Sequence, residues 1–191
     1  MLEKVATSSQ SPARFRLPPP SPTELPEDVR TLVEANHEEN WIRSLSVNGP
    51  TAKRFVSYFA SLFDPGNGLL PIAERELIAV VVSSTNGCGL CEIHHTNALG
   101  DALGDAEKAR RIALDVHLAP LTPRERALAE FAAKVTQEPK SVTPHDFEDL
   151  RAAGLNDAEI VEALETSAWF NHTNRIFISL GVWPDESYFG R

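Results

Sequence analysis

Apolar residues recur along this chain at three- and four-residue steps and hardly anywhere alternate one-for-one with polar ones, a pattern of helices rather than half-buried strands. Val29, Leu32, Val33 and Trp41 predict a helix over 28–45, with Pro26, Glu27 and Asp28 suited to its start. Phe55, Tyr58, Phe59 and Leu62 predict a second over 50–63, ended by DPGNG at 64–68. Pro71 suits a first helical turn. The run 76–82 that follows is apolar except for Glu76, and reads as a buried helix or strand delivering that carboxylate. Residues 83–87 form a turn cluster ending in Asn-Gly, after which 88–99 reads as a helix that starts at or near Cys88 and ends near Gly100 or Gly104. A short charged helix spans 105–117. Thr122-Pro123-Arg124-Glu125 is a capping box with proline at the first position. Its helix runs to about Gln137 and buries Leu128, Phe131 and Val135. Thr143-Pro144-His145-Asp146 makes the same kind of start. Asn156, with Glu159 three residues on, caps a long helix through Ile160, Leu164, Trp169, Phe170, Ile176 and Leu180, stopped by Gly181 and Pro184. The chain is expected to be all-α.

The pattern has one outlier. Residues 1–27 carry six of the fourteen prolines, including a PPPSP run, and predict an extended, polyproline-like arm lying on its own domain or on a neighbouring subunit. Residues 28–191 then form one helical domain. Within it Glu74-Arg75-Glu76-Leu77 echoes Glu125-Arg126-Ala127-Leu128, and Asp105-Ala106-Glu107 echoes Asp157-Ala158-Glu159, which hints at a duplicated helical unit.

Composition narrows the partners. A formal charge of −9 over 191 residues argues against nucleic acid and anionic membranes. No apolar run reaches the length of a membrane span, and no secretory h-region is visible, so the expected location is the cytoplasm. No G-x-G-x-x-G follows a strand. No cofactor is expected, and reducing equivalents would come from another protein or a small dithiol.

The chemistry concentrates in 76–95, ELIAVVVSSTNGCGLCEIHH, which holds both cysteines and two of the six histidines. Cys88 and Cys91, in an otherwise cysteine-free chain, point to redox chemistry or a metal. On a helix Cys88, Cys91 and His95 share one face, and Cys91 and His95 are an i, i+4 pair. Free amides at the helix start favour a thiolate at Cys88; an adjacent imidazole favours one at Cys91. The two sulfurs are near enough in sequence to close into a disulfide. A structural zinc would need Glu76 or His94 as a fourth ligand, and no metal is expected. His94 falls on a different helix face and reads as a packing or surface residue, as does His37; His117 and His145 read as surface. The polar run within 169–175 reads as buried hydrogen bonding at helix or subunit contacts, with Asn171 or His172 as alternative site residues.

The pattern E-x11-C-x2-C-x3-H, as Glu76, Cys88, Cys91 and His95, resembles the signature of the alkylhydroperoxidase D family, within the carboxymuconolactone decarboxylase-like superfamily. AERELIAVVVSSTNGCGLCEIHH and NHTNRIFISLGV resemble its peroxidase-related subgroup, and the likeness runs from about Asp28 to Trp183. The resemblance implies an all-helical fold that assembles as homo-oligomers (dimers, trimers or hexamers) and reduces small-molecule hydroperoxides, an antioxidant role. By position, Cys91 would be the peroxidatic thiolate and Cys88 the resolving cysteine. His95 would accept the Cys91 proton directly or through water, and Glu76 would orient His95. The best-known members carry a histidine just before the second cysteine; this chain has Leu90, so one proton-relay group is missing. The other readings are a thiol–disulfide oxidoreductase or redox sensor, and a carboxymuconolactone decarboxylase-like enzyme or scaffold without redox chemistry. The last does not depend on the cysteine pair, so the presence of all four residues counts against it.

Overall fold

A computed structural model describes residues 14–190. Among them are nine α-helices and no strand: α1 (Glu27–Ala35), α2 (Asn40–Leu45), α3 (Gly49–Leu62), α4 (Ile72–Asn86), α5 (Gly89–Leu103), α6 (Ala106–Leu114), α7 (Pro123–Gln137), α8 (Pro144–Ala152) and α9 (Asp157–Leu180). None is long and apolar enough to cross a membrane.

The domain is built around α4. Every residue from Arg75 to Ser83 is buried, as expected of a helix enclosed on all sides, and α5, α6, α7 and α9 all pack on it. The apolar run is therefore helical, and the helix continues through the expected turn cluster. Ser83 and Asn86 stay helical because their side chains bond into the bundle: Asn174 donates to Ser83 Oγ at 3.1 Å, and Asn86 donates to Asn171 and Asn174. The turn contracts to Gly87, whose φ of 70° caps the helix in the left-handed region.

The helix expected over 28–45 divides into α1 and α2. His37 and Glu38 between them have φ of 56° and 54°, a conformation L-residues adopt only when their surroundings hold it. The holding groups come from the far end of the chain. The backbone N–H of Asn40 donates to Asp185 at 2.9 Å, and the Tyr188 hydroxyl donates to Glu39 at 2.7 Å. Two periodic apolar residues, Tyr58 and Leu164, lie at the surface. Tyr58 stacks on Trp169 with ring centroids 4.5 Å apart and donates to Glu165.

Of the N-terminal arm, residues 1–13 lie outside the described residues. The described part runs along the end of α9. The N–H of Arg16 donates to Leu180 O, the N–H of Trp183 donates to Arg14 O, and the Arg16 guanidinium bonds the carbonyls of Ile178 and Ser179, a favourable place for a cation at a helix C-terminus. The helices also carry the sequence echo: Pro123 stands 51 residues on from Ile72 and Gln137 51 on from Asn86, so α4 and α7 match end for end.

Candidate active site

Glu76 sits in the second turn of α4, buried, with Oε2 2.7 Å from Nδ1 of His95 on α5. The carboxylate can only accept in that bond, so Nδ1 carries the hydrogen and Nε2 is left as the basic atom of the neutral ring. The ring is held by aromatic faces. Phe170 lies edge-on with centroids 4.6 Å apart, and Phe63 and Phe59 flank it at 5.9 and 6.2 Å.

Cys88 is the N-cap of α5 and Cys91 stands in its first turn. Both are buried free thiols with sulfurs 3.1 Å apart. The Cys91 thiol, the Cys91 backbone amide and the Asn174 side chain hold the Cys88 thiol below its ordinary range, against the opposing effect of burial. Cys91 is pushed well above it, by Cys88 beside it and by burial. Cys88 is therefore the more acidic thiol of the pair. No hydrogen bond joins Cys91 to His95 among the described residues; the two meet instead across a shared cavity.

That cavity holds about 400 Å³ and is lined by Cys91, His95 and Glu76, with aromatic walls from Trp41, Phe55, Phe59, Trp169, Phe170 and Phe177. A polar side is made by His37, Glu39, His94 and Tyr188. A second cleft, of about 270 Å³, reaches Cys88 and not Cys91. The two spaces share the wall residues Leu90 and Phe177.

The four sequence-predicted residues are thus brought together as two pairs, Glu76–His95 and Cys88–Cys91. His94 packs on Tyr188 with ring centroids 3.6 Å apart and also lines the cavity. His37 lines the cavity as well, whereas His117 and His145 are exposed. Asn171 bonds Asn86 and Thr136, and His172 stacks on Trp169 at the surface. Their neighbours Thr173 and Asn174 reach the site instead, Thr173 on the cavity wall and both facing Cys91. Sequence reasoning located that polar run but not its register. It missed Glu39 and Tyr188, for which no local signal exists. The donor atoms that converge within 4.8 Å are those of Glu39, His94 and Asp185, and neither sulfur belongs to such a group among the described residues.

The carboxymuconolactone decarboxylase family pattern matches residues 50–134. An uncharacterized peroxidase-related protein from Silicibacter sp. TM1040 is 30% identical over 97% of this chain and 98% of its own, with a TM-score of 0.86. The chain belongs to the carboxymuconolactone decarboxylase-like superfamily, in its alkylhydroperoxidase D-like, peroxidase-related branch. A second relative of that branch, an uncharacterized peroxidase-related protein with an alkylhydroperoxidase AhpD core from Ralstonia eutropha JMP134, is 29% identical over 93% of this chain and 95% of its own, with a TM-score of 0.85. The debrominase Bmp8, solved with 2,3,4-tribromopyrrole, shares the fold at 18% identity, covering 92% of this chain and 94% of its own, with a TM-score of 0.73. No curated protein sequence matches the chain. Membership of the alkylhydroperoxidase D-like branch points to an enzyme. In this member Leu90, before the second cysteine, is buried between the two cavities.

Proposed function

We propose that the protein is a thiol peroxidase that reduces organic hydroperoxides at Cys91 and closes a Cys88–Cys91 disulfide. One observation carries this reading: Cys91, His95 and Glu76 open onto one aromatic cavity, with the second sulfur 3.1 Å behind the first. The apolar walls suit a hydroperoxide with a bulky organic group, whose burial supplies binding energy.

The chemistry then runs as follows. Starting from the two thiols, the Cys91 proton passes to His95 Nε2 through water in the cavity. The Cys91 thiolate attacks the terminal peroxide oxygen, the O–O bond breaks, and an alkoxide leaves and takes a proton to become the alcohol. His95, held by Glu76, is the group placed to give that proton. Cys91 is now a sulfenic acid. Cys88 attacks its sulfur, the S–S bond forms, and hydroxide leaves as water with the remaining proton. One hydroperoxide and two thiols become one alcohol, one water and one disulfide. An external dithiol restores the thiols.

The test is a count of free thiols by alkylation and intact mass, before and after one equivalent of cumene hydroperoxide. The expected result is loss of both thiols in the wild type, a trapped sulfenic acid in Cys88→Ser and none in Cys91→Ser. The reverse pattern would exchange the cysteine roles. Survival of both thiols would refute the peroxidase and favour thiol–disulfide exchange as the primary activity.

A further inference from the structure

We infer that the reductant does not enter by the substrate cavity: a small organic dithiol binds in the separate cleft over Cys88 and opens the disulfide from that side. The inference rests on the peroxidase reading for the origin of the disulfide, but the geometry behind it is independent. Cys91 lines the large cavity and Cys88 does not; Cys88 lines the second cleft and Cys91 does not. Leu90 and Phe177 form the partition.

Exchange at a disulfide sulfur requires the incoming thiolate to approach opposite the leaving sulfur. Attack on Cys88 therefore comes from the side away from Cys91, and the cleft is the space that reaches Cys88 without touching Cys91. The cleft is walled by Gly87, Gly89, Ile178, Gly181 and Trp183. Its far rim is pinned by the bond from the Trp183 N–H to Arg14 O. A Cβ at Gly87 or Gly89 would meet no atom within 4 Å, so the approach over Cys88 is open above both glycines. Cys88 itself is only 2% exposed. The cleft's 270 Å³ admits a slender molecule, not a helix about 10 Å across, and a thiol fixed on a folded protein's surface does not reach the sulfur.

The step balances. A thiolate of the dithiol bonds to Cys88 Sγ as the Cys88–Cys91 bond breaks, and Cys91 leaves with the electron pair into the large cavity beside His95. The dithiol's second sulfur then attacks the first, forming a cyclic disulfide and releasing Cys88. The two protons of the dithiol end on the two cysteines. The Cys88 thiol, which pushes Cys91 up when the two lie side by side, is bonded to the reductant at this stage, so Cys91 is a better leaving group than in the free dithiol state. Substrate and reductant thus occupy different spaces and need not displace one another.

The experiment separates the half-reactions. The disulfide form is prepared with diamide, so that its reduction is measured independently of any hydroperoxide activity. Dithiothreitol is the probe, and the return of free thiols is followed by stopped flow. Gly89→Leu and Ile178→Trp, both on the cleft wall, are expected to slow this return about tenfold and to leave thiol loss under cumene hydroperoxide unchanged. Ala98→Phe, on the large cavity, is expected to do the opposite. The inference is overturned if the cleft variants slow both half-reactions alike or neither. It is also overturned if a thioredoxin-type protein dithiol reduces the disulfide where dithiothreitol does not. If cumene hydroperoxide fails to oxidise the thiols while the cleft variants still slow reduction, the peroxidase reading falls and this one stands.

Discussion

At the scale of single residues the site works through two short contacts, a carboxylate on an imidazole and a thiol on a thiol. The 2.7 Å bond from His95 to Glu76 fixes the ring and leaves Nε2 to take and give the proton in the proposed reaction. Glu76→Gln keeps an acceptor of the same shape and removes the charge. It is expected to lower the rate of thiol oxidation by roughly 10- to 100-fold while leaving dithiothreitol reduction of the disulfide near wild type; equal loss in both steps would show a structural role only. The sulfur pair makes a different prediction. The chief cause that holds Cys88 below the ordinary thiol range is the Cys91 thiol. Alkylation of Cys88 followed against pH should therefore rise with a midpoint below the free-thiol value of about 8.5. In Cys91→Ala the neighbouring thiol is gone and burial remains, so the midpoint should move up; a midpoint that stays put would assign the acidity to the helix start alone. Sequence spacing shows both influences on the cysteines but not their balance, because Asn174, which faces both sulfurs, arrives from a helix far along the chain.

At the scale of elements, most of the fold was legible. Proline and capping-box starts at Thr122, Thr143 and Asn156 stand where the sequence puts them, because such signals act within one turn. The break between α1 and α2 was not legible, since its anchors, Asp185 and Tyr188, are 145 and 149 residues away from Asn40 and Glu39. The largest missed element-scale feature is Arg75. Its guanidinium is fully buried at the start of α4, donating to the carbonyls of Leu62, Asp64 and Leu70, with Glu162 3.7 Å away. It ties the α3–α4 connection to the helix that carries Glu76. A Cβ on Gly68 would fall 2.4 Å from Arg75 Cζ, which is why that loop has no side chain there. Arg75→Met leaves those carbonyls and Glu162 without their partner. It is expected to destabilise the fold by about 3–5 kcal/mol, read as a lower urea midpoint. A loss below about 1 kcal/mol would mean that water replaces the guanidinium.

At the scale of the whole molecule, the cavity is assembled from the α1–α2 turn, α3, α4, α5, α9 and the C-terminal tail. Periodicity shows which face of each helix turns inward but not which faces meet, so the aromatic walls had no signature in the sequence beyond being apolar. Near the surface, ion pairs join α7 to α4, α8 and α9. Arg124 on α7 joins Glu74 on α4 and Glu159 on α9, and Lys134 on α7 joins Asp146 on α8. Asp146 is held down to about 2, chiefly by Lys134 and then by the Thr143 backbone N–H. A carboxyl whose folded pKa lies below its unfolded value stabilises the fold above the unfolded pKa, and that contribution fades as pH falls through the folded one. The α7–α8 contact should therefore be intact at neutral pH and weaken between about pH 4 and pH 2. The thermal midpoint of the wild type should fall more steeply over that range than that of Asp146→Asn, which has no charge to lose. The amides of α8 should gain hydrogen exchange before those of α4. Parallel pH profiles for the two proteins would place the acid sensitivity outside the Lys134–Asp146 pair, and α8 would then open together with the rest of the bundle.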